Sequence, residues 1–401
     1  MRLLQTDVTP QRHGVRLTGS MERANGDPFD AHVDYHGLDA SHVASGADAM
    51  AAAMLIPSMR DGEDLEICPP ISPLLAYSLP RARDIFHTWY PAFSRIEIRC
   101  SPQDMLPIER PARAATFFSG GVDSFYTLLK HTHGAGTLPV PLTHVIYLRG
   151  VEQRLEHTKG AEEAQAWVQS IAQSAGVGCI TGVTNLRTTL QGPVGRVHWE
   201  RHYHGSALAG IGLGLSGLLS YVCIPSAFSY NHMVAHGSTP LLDEMFSSDQ
   251  VRVVHDGAEM TRARKVARIL EWDRELVLSH LRVCIMNEGG AYNCGRCYKC
   301  VRTAIPLRVL GALDDARTFT DKSDAHWEGV LNGDHLVLIE ENLDFAREAG
   351  ADRNLISVLE RVVRRRRRAQ GAKEYVRNSS LARLLPAARA VRSWLAQRAG
   401  S

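Results

Sequence analysis

Two hydrophobic periods alternate along residues 111–285 and predict an α/β fold. Short apolar runs, typical of buried strands, are separated by longer segments whose apolar residues recur at helical spacing. This alternation predicts βαβ units, and therefore a parallel sheet with helices on both faces. Ligands of such sheets bind beyond the carboxyl ends of the strands. The predicted strands are Thr116–Phe118, Val145–Leu148, Cys179–Val183, Tyr221–Ile224 and Val251–Val254, and the predicted helices are Ser124–His131, Thr158–Ala175, Gly205–Leu219 and Thr261–Leu270.

The residues before and after this region carry other patterns. Residues 1–110 contain short alternating runs and an Ala/Met-rich segment from Ala44 to Ile56, which predict a separate small mixed α/β domain. Residues 111–311 form the predicted central domain, and residues 312–401 a helical, basic extension. The N-terminal strand predictions are Val15–Leu17, His32–Tyr35, Leu65–Ile67 and Ile96–Arg99, and the C-terminal helix predictions are Leu336–Ala349, Asn354–Arg368 and Leu381–Arg398.

One uncharged stretch, from Ser206 to Phe228, is long enough to cross a bilayer. It also contains glycines in the order Gly-x-Gly-x-x-Gly. A dinucleotide-binding glycine motif should follow a strand, whereas these glycines precede the apolar run Tyr221–Pro225. We therefore interpret the stretch as a buried helix with small residues that leads into a buried strand. A membrane span and a dinucleotide site are the alternatives.

A polar turn separates the first predicted strand of the central region from its first helix. Its sequence is Ser119-Gly120-Gly121-Val122-Asp123-Ser124. The glycines permit backbone angles that other residues avoid, and the following helix contributes unpaired N–H groups. Successive N–H groups in such a turn form a concave anion site. The turn is not a Walker A loop, because no lysine follows the glycines.

Four of the eight cysteines cluster, as Cys284 followed by Cys294-Gly295-Arg296-Cys297-Tyr298-Lys299-Cys300. Cys-x-x-Cys turns place two thiolates on one small ion, and the neighbouring basic residues favour the thiolate form. Four thiolates make a closed tetrahedral site of the kind that structural zinc occupies. We predict Zn²⁺ in preference to an iron–sulfur cluster, and we interpret the four scattered cysteines as small apolar residues.

The Ser-Gly-Gly-Val-Asp-Ser turn resembles the pyrophosphate loop of the N-type ATP pyrophosphatases. This PP-loop superfamily has an adenine nucleotide alpha hydrolase-like fold and cleaves ATP between the α and β phosphates. Together with the cysteine cluster, the turn makes residues 114–311 similar to the 7-cyano-7-deazaguanine synthase family. In that family the cysteines bind zinc next to the active site, the loop binds the phosphates of ATP, and a lysine of a late helix contacts them. The family adenylates a deazaguanine carboxylate, which ammonia then attacks twice.

The sequence departs from this family in two segments, the second of which helps to frame the deazaguanine site in the family. The family's Asp-x-Gly-Gln segment would fall near Leu148-Arg149-Gly150, where neither Asp nor Gln is present. Its Tyr-Pro-Asp-Cys-Arg segment is not recognisable, and residues 237–243 occupy the expected place. The N-terminal and C-terminal regions have no counterpart. The adenylation half therefore carries over better than the deazaguanine substrate.

The resemblance implies an ATP-dependent, AMP-forming ligase that activates a carboxylate for attack by ammonia or an amine. A small-molecule carboxylate is the expected substrate, with a protein substrate as an alternative. A PP-loop tRNA-thiolating enzyme and a non-catalytic nucleotide-binding scaffold also remain open. The implied catalytic residues are Asp123, Ser124 and Lys265, the implied ligands of ATP and Mg²⁺ are Ser119, Gly120, Gly121, Val122, Asp123, Ser124 and Leu148, and the implied zinc ligands are Cys284, Cys294, Cys297 and Cys300.

Charge and composition limit the partners. The net charge of +2 implies no affinity of the whole chain for polyanions. The arginine run Arg364–Arg368 has no aromatic stacking platform beside it, so nucleic acid is not favoured. Three histidines in His198–His204 lack a companion thiolate, and we interpret them as part of an ordinary polar segment. The polar start Met1–Asp7 and the clustered cysteines predict a cytoplasmic protein without a membrane segment, and a homodimer is left open.

Overall fold

A computed structural model describes residues 1–44, 46–103, 110–134, 136–151, 155, 161–189, 197–286, 292–333 and 335–378. The chain forms two compact units. The first comprises Met1–Val283, Glu288–Tyr292 and Asp315–Thr318, and the second comprises Cys284–Asn287, Asn293–Asp314 and Phe319–Ser401.

The first unit is built on one mostly parallel sheet, in which the described residues supply ten strands. Their spatial order is β10-β9-β6-β7-β8-β3-β2-β1-β4-β5. Strands β6 to β10 run parallel to one another, whereas β1, β2 and β3 form an antiparallel meander that joins the parallel part through the antiparallel pairing of β3 with β8. The strands are β1 (Arg2–Gln11), β2 (Gly14–Glu22), β3 (Pro28–His36), β4 (Leu65–Ile71), β5 (Ile98–Pro102), β6 (Ala114–Phe117), β7 (Leu142–Arg149), β8 (Gly178–Thr184), β9 (Tyr221–Pro225) and β10 (Arg252–Asp256).

The parallel part of the sheet reverses its direction of growth beside β6. The chain moves outward from β6 through β7 to β8, and then returns to the other side of β6 with β9 and β10. This is the strand order of doubly wound α/β sheets, in which the reversal opens a crevice at the carboxyl ends of the two central strands. In this protein the crevice lies beyond β6 and β9, which pair in parallel.

Helices cover both faces of this parallel part, as predicted. One set packs on the sheet through α3 and α4, and α8 contacts both of them. The other set includes α6, which packs on β9 and on α1. Side chains of β7 point alternately to the two faces of the sheet. Ile146 and Leu148 lie on the face whose core contains α1 and α6. The helices of the first unit are α1 (Gly46–Asp61), α2 (Pro73–Trp89), α3 (Val122–Thr132), α4 (Ala161–Ser174), α5 (Leu186–Thr189), α6 (His204–Leu213), α7 (Pro240–Asp243) and α8 (Arg262–His280).

The uncharged stretch after residue 205 is a buried helix followed by a buried strand, which confirms the interpretation made from its glycines. Every residue of α6 from Gly205 to Leu213 is buried. A Cβ at Gly210 would lie 2.5 Å from the carbonyl oxygen of Ala49, so the small side chains let α6 approach the backbone of α1. Among the described residues, no helix is both long and apolar enough to cross a membrane.

Residues 1–110 share the sheet of the central region. The antiparallel pairing of β3 with β8 joins the two parts, with Tyr35 opposite Gly182. The division of the chain at residue 110 remains a sequence prediction, and the strands on either side of it belong to one sheet. Strand β1 was not predicted, because most of its residues are exposed or half-buried and its apolar positions do not alternate.

The second unit contains the cysteine segment and the C-terminal helices. These are α9 (Tyr298–Val309), α10 (Trp327–Val330), α11 (Leu336–Glu348) and α12 (Arg353–Asn378). Within this unit the arginine run on α12 bonds to neighbouring residues. Arg365 and Arg366 donate to Asn332, and Arg367 donates to Glu340 at 2.6 Å. The helix predicted at Leu381–Arg398 lies outside the described residues.

The close approach of α1 and α6 gives a stability prediction. In Gly210→Ala the new methyl group meets the Ala49 carbonyl, so we expect the free energy of unfolding to fall by about 1–3 kcal/mol, the usual cost of overpacking. Urea unfolding followed by circular dichroism measures this change. Gly329→Ala adds the same group to a helix where nothing lies within 4 Å, and should not destabilise the protein. Equal stability of the two variants would contradict the proposed close contact.

Candidate functional site

The polar turn connects β6 to α3 and is held in a conformation that requires glycine. Gly120 has φ +78°, and a Cβ on it would lie 2.0 Å from the ring of Trp167. Gly121 is the N-cap of α3, and its carbonyl oxygen accepts bonds from the Ser124 hydroxyl at 3.0 Å and the Phe125 N–H at 3.0 Å. The strand before the turn is fully buried, so the turn begins where the chain leaves the sheet.

The turn therefore lies at the crevice of the sheet. It follows the carboxyl end of β6, and the segment after β9, beginning at Ser226, lies beside it because the two strands pair in parallel. The N-terminus of α3 faces the same edge and carries Asp123 in its first turn. This is the position in which doubly wound sheets bind ligands, and a helix N-terminus there favours an anion.

Two cations of α8 converge on the carboxylate of Asp123. Arg262 donates through Nη1 to one carboxylate oxygen, and Nζ of Lys265 lies 3.4 Å from the other. Both residues belong to the first two turns of α8, whose N-cap is Thr261. Lys265, which the resemblance implies as a catalytic residue, therefore lies beside the turn. Asp123 places its negative charge between these cations, where an external anion would compete for them.

Lys265 is almost fully buried, with 1% of its surface exposed. Its Nζ donates to the carbonyl oxygen of Ser226 at 2.6 Å and lies 5.5 Å from the centre of the Tyr126 ring. Burial lowers the pKa of Lys265, and the nearby Asp123 only partly offsets this effect. The lysine is therefore a desolvated cation held among a carboxylate, a carbonyl and an aromatic face.

A second charged group lies at the end of β10. Lys130 of α3 bonds to Asp256 at 2.9 Å and to Glu259 at 2.8 Å. Burial favours the neutral form of Asp256, but a hydrogen bond from His131 and the charge of Lys130 outweigh it and hold its pKa below the usual range. Tyr126 donates to Glu259 at 2.8 Å, which connects this group to the ring beneath Lys265.

Aromatic side chains cover the turn from the side of α4. The Trp167 ring contacts Gly120 and stacks on Tyr292 at a centroid distance of 5.7 Å and an interplanar angle of 20°. The N–H of Arg282, just after α8, donates to the carbonyl oxygen of Gly120 at 2.8 Å. The turn is thus fixed from two elements besides its own strand and helix.

Most of the residues predicted to bind ATP lie together in this turn. Ser119 to Ser124 are contiguous, and Lys265 reaches them through Asp123. Leu148 differs from the rest, because only 3% of it is exposed and its side chain belongs to the hydrophobic core. It lies at the carboxyl end of β7, opposite Gly182 of β8.

A buried polar network beside Lys265 was not predicted. His255 Nε2 lies 2.8 Å from the Ser226 hydroxyl, and His255 Nδ1 lies 2.7 Å from a carboxylate oxygen of Asp243. Ser238 donates to the same oxygen at 2.5 Å. We call Ser226, His255 and Asp243 the Ser-His-Asp network. The sequence did carry one signal for this network. Ser226 directly follows β9, and His255 is the second-last residue of β10, the parallel strand beside it.

The histidine-rich segment packs with aromatic residues. The ring of His202 makes edge contacts with Tyr90 and Phe93, at centroid distances of 4.7 and 4.9 Å. Burial lowers the pKa of His204 to about 4, so this ring is neutral near pH 7. Over the described part of the chain, the single group of three or more side chains suited to a metal is the cysteine cluster.

In the second unit, the cysteine cluster has the shape of a tetrahedral metal site. The sulfur atoms of Cys284, Cys294, Cys297 and Cys300 all lie within 4.8 Å of one another. The Cys294–Cys300 and Cys284–Cys297 distances are both 4.0 Å, and a tetrahedral zinc ion with Zn–S bonds of about 2.3 Å requires about 3.8 Å. The four residues could therefore hold a metal such as zinc.

The surroundings of the cluster keep its turns in place. Gly295 has φ +73°, and a Cβ there would lie 1.9 Å from the carbonyl oxygen of Asp321. The Asp321 carboxylate accepts a bond from Arg296 at 2.7 Å, and the N–H of Cys284 donates to Asn293 at 3.2 Å. A hydrogen bond with the Cys300 thiol and bonds from backbone N–H groups lower the pKa of Cys297, which favours its thiolate, while the same contact raises the pKa of Cys300.

Comparisons with known proteins returned nothing that bears on these sites. No protein-family model matches the chain, and neither a curated protein nor a solved structure matches it. The residues of the chain and their geometry are therefore the grounds on which a function can be proposed.

The cysteine geometry gives a metal-binding prediction. We expect the purified protein to contain about one Zn²⁺ per chain, and Cys297→Ser to lose it because three thiolates bind zinc less tightly than four. Elemental analysis measures the zinc content, and thermal unfolding measures the accompanying loss of stability. Cys68→Ser, which alters an exposed cysteine outside the cluster, serves as the control. The prediction would be contradicted if the wild-type protein is purified without metal and added Zn²⁺ does not raise its stability.

Proposed function

We propose that the protein is an ATP-dependent, AMP-forming enzyme that activates a carboxylate for attack by ammonia or an amine. It would be a divergent PP-loop enzyme similar to the 7-cyano-7-deazaguanine synthases. One observation carries the proposal: a glycine turn and two cations, Lys265 and Arg262, converge on Asp123 at the crevice of a parallel sheet.

The ligand proposed for this crevice is the triphosphate of ATP. The glycine turn and the N-terminus of α3 offer N–H donors to phosphate oxygens. Lys265 and Arg262 offer two positive charges, and both contact the carboxylate of Asp123. A polyphosphate makes better use of this arrangement than a monovalent anion, because it carries several charges along its length. ATP would supply the activated α-phosphate to which a substrate carboxylate attaches.

The residues of the crevice would then have separate tasks. Lys265 and the turn stabilise negative charge on the departing pyrophosphate, which is the kind of preorganised electrostatic effect that often dominates catalysis. Asp123 would bind Mg²⁺ once the phosphates have replaced it beside the cations, since carboxylates are preferred Mg²⁺ ligands. The Ser124 hydroxyl fixes the turn through its bond to Gly121.

The metal of the cysteine cluster would have a structural task. Four cysteine ligands close the tetrahedral shell, which leaves no open position for a substrate. Zn²⁺ would therefore contribute folding energy to the segment around Cys284 and Cys297. No step of the reaction is assigned to it.

The tRNA-modifying alternative receives less support from the second unit. A tRNA substrate would need the arginine run as its binding surface, and Arg364 to Arg367 bond to Glu360, Asn332 and Glu340 in the same unit. Surface ion pairs of this kind do not prevent binding, but they lower the charge that the run presents. The arginines are therefore interpreted as stabilising α12.

Nucleotide turnover is the direct test of the proposal. The protein should form AMP and pyrophosphate from Mg-ATP in the presence of a host extract that contains its carboxylate substrate, and mass spectrometry should detect an adenylate or a new amide. Asp123→Asn should abolish AMP formation, and Lys265→Met should lower it by about 100- to 1,000-fold, the usual effect of one lost electrostatic donor. Arg264→Met, on the same helix, is the control. AMP formation that is equal in all these proteins would contradict the proposed site.

The burial of Lys265 also predicts a pH dependence. Because burial lowers its pKa below the usual 10.5, Lys265 loses its ammonium charge at a lower pH than an exposed lysine does as the pH rises. Affinity for ATP should therefore decline on the alkaline side at a pH below that of an ordinary lysine. Lys265→Arg keeps its charge throughout and should shift this decline to higher pH. Calorimetric titration measures both proteins, and coincident profiles would refute the assignment to Lys265.

A further inference from the structure

The Ser-His-Asp network has the bond pattern of a catalytic triad, but its serine is placed differently from a nucleophile. Ser226 is fully buried, and its hydroxyl donates to the carbonyl oxygen of Phe228 at 2.6 Å. A nucleophilic serine must present its oxygen to a substrate. The hydroxyl of Ser226 is instead enclosed between a histidine nitrogen and a backbone carbonyl, so the network requires another explanation.

The backbone of Ser226 provides that explanation. Its carbonyl oxygen accepts the shortest bond made by Lys265, at 2.6 Å, while the bond from Lys265 to Asp123 is 3.4 Å long. Its N–H donates to the carbonyl oxygen of Asp256 at 2.8 Å. The position of the lysine ammonium therefore depends on the position of one peptide group at the carboxyl end of β9.

The side chain of the same residue fixes this peptide group. The Ser226 hydroxyl is held by His255 Nε2 on one side and by the Phe228 carbonyl on the other. His255 is itself held through Nδ1 by Asp243, which is fully buried. Buried hydrogen bonds of this kind are costly to break, because no water replaces the lost partner.

We propose that the Ser-His-Asp network positions the ammonium group of Lys265 for its phosphate ligand. Ser226, His255 and Asp243 are positioning residues of the crevice, since they act through the lysine and touch no substrate. The proposal concerns the geometry of Lys265 and rests on the proposed function for the identity of the ligand. A lysine has a flexible four-carbon stem, so a fixed acceptor is needed to hold its charge at one point.

The network also joins the two regions in which the proposed substrates would bind. Asp243 ends α7, and Ser238 precedes that helix within residues 237–243, which occupy the expected place of the acyl-substrate segment. Ser226 lies beside the turn that would bind the phosphates. Buried hydrogen bonds between residues distant in sequence therefore fix the position of residues 237–243 relative to the turn.

The first experiment observes Lys265 directly and needs no substrate. The chain has only six lysines, so carbon NMR of protein labelled at the lysine ε-carbons gives few signals, and Lys265→Met identifies the relevant one. We expect this signal to move in Ser226→Ala and His255→Gln. Ser220→Ala removes a buried hydroxyl at the other end of β9 and should leave it in place. The remaining lysine signals report whether each variant is folded.

The isosteric variant Asp243→Asn keeps the test decisive if a larger change unfolds the protein. It retains the shape of the side chain but no longer offers a carboxylate to His255, so the Lys265 signal should move again. An unchanged Lys265 signal in the folded network variants would overturn the proposal. A change of equal size in Ser220→Ala would also overturn it, because the effect would then be general.

The second experiment measures a double-mutant cycle with Mg-ATP as the probe. His255→Gln should weaken ATP binding by about 3- to 30-fold in the presence of Lys265, as expected for coupled residues of one hydrogen-bond network. In the Lys265→Met background the same change should have less than about a twofold effect, because the network acts through the lysine. Equal effects in both backgrounds would reject the positioning role.

The two experiments separate failure of this inference from failure of the proposed function. If Lys265→Met weakens ATP binding while His255→Gln leaves both binding and the Lys265 signal unchanged, the phosphate site stands and the positioning role is wrong. If the wild-type protein binds no ATP but the Lys265 signal moves in the network variants, the positioning role stands and the proposed ligand is wrong.

Discussion

The candidate site depends on a lysine cation that has been removed from water. Lys265 is 1% exposed, and a charge buried in this way needs partners that replace its hydration. The structure supplies a carboxylate from Asp123, the carbonyl of Ser226 and the face of Tyr126. Two of these partners belong to α3 and the third to the segment after β9, so their positions are constrained together by the charge that they surround. Any account of the crevice has to explain why this cation is kept there.

The topology of the sheet explains how such partners meet. Growth of the parallel part reverses between β6 and β9, which leaves the two following segments side by side at the same edge. One segment becomes the glycine turn, and the other begins with Ser226. The helix after β10 then places Lys265 across both. A site of this kind arises because consecutive βαβ units return to one edge, and it needs no long-range loop to close it.

The sequence contained enough information for the parallel sheet, the glycine turn and the cysteine cluster. Each of these is local: periodicity specifies the strands, two glycines specify the turn, and the interval between Cys294 and Cys300 specifies the shared ion.

The partners of Lys265 could be predicted from the sequence only in part. Asp123 belongs to a recognisable motif, whereas Ser226 and Asp243 become significant only when strand order brings them to His255. The resemblance implied Leu148 as an ATP ligand, but its side chain lies in the core. The face of β7 on which it lies decides this, and the short motif does not specify that face. Local patterns also failed to predict the C-terminal end of α8, at His280, and the exposed strand β1. Packing against other elements determines both.

A crystal structure of the protein with Mg²⁺ and the non-cleavable analogue α,β-methylene ATP would show directly which ligand groups replace Asp123 beside Lys265. We expect the phosphates to lie against the N–H groups of residues 120–122, with Nζ of Lys265 still bonded to the Ser226 carbonyl and Asp123 turned from the lysine to the metal. A nucleotide bound away from this turn, in a structure in which Asp123 still contacts Lys265, would contradict the proposed site.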